Sequence, residues 1–264
     1  MAATRVHTAI FSPTGTTRRV VAAMAEGLGL EAPVLVHDLT YPPAAEKIET
    51  AEKDVLLIGA PVYAGRIAPL AAQRLQSLNG RKTAAVVIVV YGNREFDDAL
   101  VELRDIAESL SYEVIAACSF IGEHSFSSAD MPIALKRPDA ADLDSAREFG
   151  KRIARKLKTG GQKRGPPMIP GNVPYLASVP FIPVTPKVDV DVCTLCGICE
   201  PMCPGAAITI ADTLMMDVKR CIHCCACIKL CPVDALSMCA KPLLEKKKWL
   251  HDNCSSRKEP QLYI

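Results

Sequence analysis

Cys193-Thr194-Leu195-Cys196-Gly197-Ile198-Cys199-Glu200-Pro201-Met202-Cys203-Pro204 and Cys221-Ile222-His223-Cys224-Cys225-Ala226-Cys227-Ile228-Lys229-Leu230-Cys231-Pro232 are two copies of one pattern. In each, cysteines return after two, two and three intervening residues, and proline follows the last. Corresponding cysteines keep one constant offset, and the likeness runs on to Ala207-Ile208 against Ala235-Leu236. Cysteines at this spacing turn three thiolates towards one face of an iron-sulfur cube, while the fourth, beyond the turn that proline ends, reaches the other cube. The pattern assigns Cys193, Cys196, Cys199 and Cys231 to one 4Fe-4S cluster and Cys221, Cys224, Cys227 and Cys203 to a second.

Two other uses of cysteine fit worse. Zinc sites present their cysteines in pairs with a long spacer rather than four in a run ended by proline. Disulfides require an oxidising compartment, to which nothing in the sequence points. Cys225 lies beside a ligand and reads as a small buried hydrophobe, and Cys118, Cys239 and Cys254, outside the runs, read the same way.

The 264 residues suffice for one full domain and a small one, and the cluster segment is too poor in apolar residues to form much of a core without its cubes. A net charge of +2 removes the electrostatic argument for nucleic acid as a partner. Met1 to His7 has no apolar stretch of signal type, and the longest apolar run, Ala84 to Val90, is too short to span a membrane. With twelve cysteines, eight of them at the repeated positions of these runs, a reducing cytoplasmic setting is expected.

Upstream of the cysteines, Val6 to Phe11 reads as a buried strand that runs into Ser12-Pro13-Thr14-Gly15-Thr16-Thr17. Val20, Met24 and Leu28 then recur at helical spacing, so this loop opens a helix. Ser12, Thr14, Gly15, Thr16 and Thr17 make an anion cup there, in which helix-start amides and hydroxyls meet a phosphate. Plain capping by hydroxyl residues is the competing explanation. Further strands are expected at Val34 to His37, Asp54 to Gly59, Ala84 to Tyr91 and Glu113 to Ile121, with helices between them. Alternation of this kind predicts a doubly wound five-stranded parallel sheet.

Ligands of such sheets bind beyond the C-terminal strand ends. After the third strand comes Pro61-Val62-Tyr63-Ala64-Gly65-Arg66, and after the fourth Tyr91-Gly92-Asn93-Arg94. A tyrosine at each rim, a glycine behind it and a phosphate cup nearby describe a flavin mononucleotide (FMN) site, with both tyrosines stacked on the ring and Gly65 and Gly92 at its polar edge. No G-x-G-x-x-G or G-x-x-x-x-G-K-[ST] follows the first strand, which disfavours NAD and nucleoside triphosphates. His124, in the long loop from Gly122 to Pro138, either exchanges a proton beside the flavin, oriented by Glu123, or bonds backbone at the surface.

With these residues in view, the N-terminal part resembles flavodoxin and the whole chain resembles the ferredoxin-fused flavodoxins of anaerobic bacteria. The supporting phrases are Pro61-Val62-Tyr63-x-Gly65-Arg66, Val90 to Arg94 with Asp97-Asp98-Ala99-Leu100, and Gly122 to Ser127. The resemblance implies FMN and two 4Fe-4S clusters.

The expected division is a flavodoxin-like domain over 1–158, a packed Pro/Gly-rich linker over 159–186, a small α+β two-cluster ferredoxin domain over 187–240 and a polar tail over 241–264, partly ordered at best. Met168, Ile169, Val173, Tyr175, Leu176, Val179, Phe181 and Ile182 are too apolar for a free tether, which is why the linker is expected to lie packed. The expected function is electron transfer between FMN, the clusters and an external redox protein or small-molecule acceptor. The alternative is a flavin-dependent reductase of a small molecule fed by its own clusters, and a redox sensor ranks last.

Overall fold

A computed structural model describes residues 5–31, 33–42, 47–159, 167–177 and 182–264. The linker positions Val179, Pro180 and Phe181, and the glycines before Pro167, lie outside these residues.

The N-terminal domain runs β1 (Val6–Ile10), α1 (Thr16–Leu28), β2 (Val34–Asp38), β3 (Ile48–Glu49), β4 (Val55–Tyr63), β5 (Arg66–Ile67), α2 (Pro69–Leu75), β6 (Leu78–Asn79), β7 (Thr83–Tyr91), α3 (Ala99–Ser109), β8 (Tyr112–Ile121) and α4 (Ala140–Lys158). The parallel strands lie in the order β2-β1-β4-β7-β8. Counting only these five, the order is 2-1-3-4-5, the flavodoxin-like doubly wound arrangement, whose ligand crevice opens where the order reverses, at the C-terminal ends of β1 and β4. Buried β4 and β7 read as continuous apolar runs because both of their faces are covered. Leu100, Leu103 and Ala107 of α3 and Ala71 and Leu75 of α2 fill one face, while Val20, Met24, Phe149 and Ile153 of α1 and α4 fill the other.

Three expectations need correction. The third parallel strand runs past Gly59 to Tyr63, then reverses into β5, pairing Val62 with Ile67 and Tyr63 with Arg66. Ala64 and Gly65 both have positive φ (53° and 84°), as a two-residue turn of this twist demands, so Pro61 to Arg66 is a hairpin rather than an open loop. The sheet is larger than five strands, because the tail is ordered. Lys241–Asn253 forms a helix and Gln261–Tyr263 an antiparallel strand on β8, pairing Leu262 with Cys118. Thirdly, the linker is packed only in places: Ile169 and Tyr175 lie on the α3-side core, while Met168, Val173 and Leu176 stay exposed.

Between linker and tail lies a small domain of two short antiparallel ladders, Lys187–Val188 with Leu236–Ser237 and Ile208–Ile210 with Leu214–Met216, and one short helix, Ala226–Leu230. Its core of buried residues is little more than Cys199, Ile208 and Leu236. So small a core leaves the domain in need of another interior.

Candidate cofactor sites and the contact between domains

The small domain contains two cavities. One is lined by Cys193, Cys196, Cys199 and Cys231, with Leu195, Ile198 and Val233 among the apolar walls. The other is lined by Cys203, Cys221, Cys224 and Cys227, with Cys225 and Ala226 beside them. Each therefore takes three cysteines from one run and one from the other. Among the described residues no three His, Cys, Asp or Glu side chains converge closely enough to hold a single metal ion. Four thiols set around a void, without converging on a point, suit a polynuclear centre better than zinc. Burial pushes the Cys224 and Cys227 thiols up to about 12. A multinuclear iron centre in either cavity would supply the positive charge that thiolate ligation needs.

At the C-terminal edge of the sheet lies the segment between β1 and α1. Gly15 has φ 81° and open space where a side chain would stand, Thr14 and Thr16 are half-buried, and the buried Thr17 hydroxyl has no partner among the described residues. The first amides of α1 have no intrahelical acceptor. The Ser12 hydroxyl accepts from the Arg18 amide at 3.1 Å, in the first turn of α1.

The expected ring contacts are largely committed elsewhere. Tyr91 is buried rather than at a rim, packed against Phe96 with ring centroids 5.6 Å apart, because it is the last inward residue of β7. Arg66 makes a two-bond ion pair with Glu102, at 2.8 Å for each bond, and lies over the Tyr175 ring. Asn93 donates to the carbonyls of Cys254 and Ser256 at 2.6 and 2.8 Å, and Arg94 pairs with Asp97. The space that glycine leaves is filled by the protein itself, by the Asp97 carboxylate at Gly65 and the His124 ring at Gly92. Pro61 bonds back to the Ala68 amide, and Val62 packs on the core. Tyr63, half-buried, is the predicted ring contact that meets the small domain. Burial raises its phenol well above the ordinary value, and the nearness of the Cys224 and Cys225 sulfurs adds to the rise.

His124 does not pair with Glu123. Its Nδ1 accepts from the Phe126 amide at 3.0 Å, and burial, with Lys229, Lys246 and Arg94 nearby, lowers its pKa to about 4. The ring is neutral at pH 7 with its proton on Nε2. Glu123 instead meets Lys229 of the small domain at 2.5 Å.

The second cavity faces the N-terminal domain. Ile222 packs on the α3-side core and Arg74 donates to the Pro204 carbonyl at 2.6 Å.

The 4Fe-4S binding domain family matches residues 186–209 and again 215–237, one cysteine run in each match. The C-terminal domain is a ferredoxin-type 4Fe-4S binding domain. No curated protein matches the chain. Solved structures similar to its N-terminal part include rubredoxin oxygen:oxidoreductase from the anaerobe Desulfovibrio gigas (16% identity, 60% of this chain and 37% of that one, TM-score 0.43). Others are oxidised flavodoxin 1 from Bacillus cereus (14% identity, 57% and 97%, TM-score 0.41) and a Streptococcus pneumonia TIGR4 flavodoxin (17%, 59% and 99%, TM-score 0.41). The chain thus spans little more than a third of the Desulfovibrio protein. The flavodoxin-like character of the N-terminal domain rests on its own strand order.

The N-terminal domain holds the linker to this ferredoxin domain through residues that the sequence reading passed over. Asp98, read only as part of a family phrase, accepts from the Asn172 amide and side chain at 2.7 and 2.9 Å and from the Leu176 amide at 2.6 Å. Burial alone would raise its carboxyl, but these bonds and Arg66 outweigh it and hold the group below the ordinary carboxylate range. Partners so distant in sequence leave no local signal.

Proposed function

We propose that the chain is an electron-transfer iron-sulfur flavoprotein that passes electrons between FMN, two 4Fe-4S clusters and an external redox partner. The observation that carries the reading is the pair of cavities, each with three thiols from one run and a fourth from the other, one of them set against the C-terminal edge of a flavodoxin-like sheet. In this reading Cys193, Cys196, Cys199 and Cys231 hold one cluster, and Cys203, Cys221, Cys224 and Cys227 the other. Thr14, Gly15, Thr16 and Thr17 hold the phosphate of FMN, and Tyr63 flanks the ring. Clusters exchange single electrons and a flavin one or two, so their union couples one-electron to two-electron carriers. The residues of this chain supply ligation, fixed spacing and exclusion of water.

Anaerobic reconstitution tests the reading. Iron and acid-labile sulfide should reach the amount for two cubes per chain, and FMN should bind with a visible flavin spectrum. Thr14→Ala with Thr16→Ala should release FMN and leave both cluster EPR signals. Stoichiometric zinc without sulfide would overturn the cluster assignment, and unchanged FMN affinity in the double variant would overturn the phosphate site.

A further inference from the structure

The two cysteine units match beyond their ligands. Left-handed backbone falls at corresponding places, with φ 52° and 55° at Leu195 and His223, 83° and 57° at Gly197 and Cys225, and 46° and 53° at Ala206 and Asp234. The amides of Ala207 and Ala235 donate to Sγ of Cys203 and Cys231 at 3.2 and 3.3 Å. The ferredoxin domain therefore has two corresponding faces, one over each cavity.

Only one of them is covered. Over the second cavity Ala226 is 1% exposed, Cys225 is buried and His223 bonds the Val184 carbonyl. At the matching places over the first cavity, Ile198 is 43% exposed, Leu195 39% and Cys196 exposed, and Val190, in the turn that the Cys193 amide closes on the Asp189 carbonyl, is 73% exposed. A side chain at Gly197 would meet nothing within 4 Å.

Charge divides in the same way. From Val188 to Met215 the first unit carries Asp189, Asp191, Glu200 and Asp212 and no Lys, Arg or His, whereas the second unit sets Lys219, Arg220 and Lys229 against Asp217 and Asp234. Across the covered face, Lys229 is matched by Glu123. That contact joins an apolar centre to a charge of opposite sign, and the open face has the apolar centre with the sign reversed.

We propose that the face made by Val190, Leu195, Gly197 and Ile198 is the docking surface for a separate one-electron redox protein whose contact patch has an apolar centre and a basic rim. The proposal rests on the electron-transfer reading above and adds the place and chemistry of the partner. Acidic residues around an apolar centre steer a cationic partner and set its orientation, while the bare backbone at Gly197 lets it come close to the cavity.

A cationic c-type cytochrome serves as the probe. Its ferric haem takes up one electron, which the reduced iron-sulfur centre loses, and no bond forms or breaks. With the reconstituted full chain, the second-order rate of cytochrome reduction should fall steeply with added salt. Val190→Lys with Leu195→Lys should lower it by about tenfold at low salt, with cluster EPR signals intact, and Val36→Lys on β2 should not change it. Asp191→Asn with Asp212→Asn, which leaves the apolar centre alone, should flatten the salt dependence. Carbodiimide cross-linking of the oxidised proteins should join the cytochrome at Asp189, Asp191 or Asp212. A full rate in the double-lysine variant, or cross-links elsewhere, would overturn the docking face. Absence of iron and sulfide after reconstitution would defeat the electron-transfer reading instead, and is seen before any cytochrome is added.

Discussion

Asp98→Ala should loosen the linker without unfolding the sheet. Asp98 is fully buried and its carboxylate accepts three hydrogen bonds from Asn172 and Leu176, which lie in the segment leading to the ferredoxin domain. Bonds to a charged group contribute about 1.5 kcal/mol each at the low end. Members of one network do not add fully, so a loss of about 3 kcal/mol is expected. That corresponds to a rise of about 100-fold in the open population of the segment. Hydrogen exchange followed by mass spectrometry reads it directly, as faster exchange in peptides covering Asn172 and Leu176 but not in those from β4 and β7. Asp98→Asn, which keeps one carbonyl oxygen, should fall between the two. The wild type adds a pH signature. Its folded carboxyl lies below the unfolded value, so the stabilisation is complete above about pH 3.9 and is lost as pH falls through the folded pKa, a loss that the alanine variant lacks. Unchanged exchange in the 172–176 segment would refute the argument that Asp98 holds the linker.

Cys203→Ala should damage the cluster held mainly by the second run and Cys231→Ala the first, as read by EPR, and loss confined to the cluster of the mutated run would defeat the crossed arrangement. Cys225→Ala should leave both signals in place, since this thiol is buried beside the ligands and donates to the His223 carbonyl. At the opposite end of the sheet, burial lowers the pKa of His7 and of His37, whose rings stack with centroids 5.2 Å apart. Unfolded histidine binds protons more readily, so stability should fall as pH drops below about 6.5. Urea midpoints at pH 7.5 and 5.5 test this, and His37→Gln should shrink the difference between them.

The five parallel strands were legible because each is an apolar run bounded by turn residues, and only the third, which runs on to Tyr63, needed its end moved by more than one residue. Where the reading missed, the cause was a partner far away in the chain. Tyr91 and Tyr63 look alike as tyrosines closing apolar strands, but strand alternation sends the first into the core beside Phe96. Arg66 and Asn93 look available for a cofactor until Glu102 and the tail carbonyls of Cys254 and Ser256 claim them. The tail is the largest omission. Its polar composition hid Leu243 and Leu250, both buried, and its three-residue strand is shorter than any periodicity can register.

A duplicated ligand set cannot by itself tell which copy faces inwards, because the cysteines are the same in both. The residues between them can. Ile222, which packs on the N-terminal core, stands where the first unit has the exposed Thr194, and Lys229, which pairs with Glu123, stands where the first unit has the exposed Pro201. Small Ala226 replaces Ile198 where the domains come close, and Cys225 adds a compact buried side chain where Gly197 has none. Each difference suits the second unit to contact with the flavodoxin-like domain and leaves the first exposed. Exchanging Ile222 with Thr194 and replacing Lys229 by alanine, which keeps the amide that donates to the Cys225 carbonyl, would therefore weaken the contact between the domains without touching a single cluster ligand, and such a variant separates the cost of misplacing a cluster from the cost of losing it.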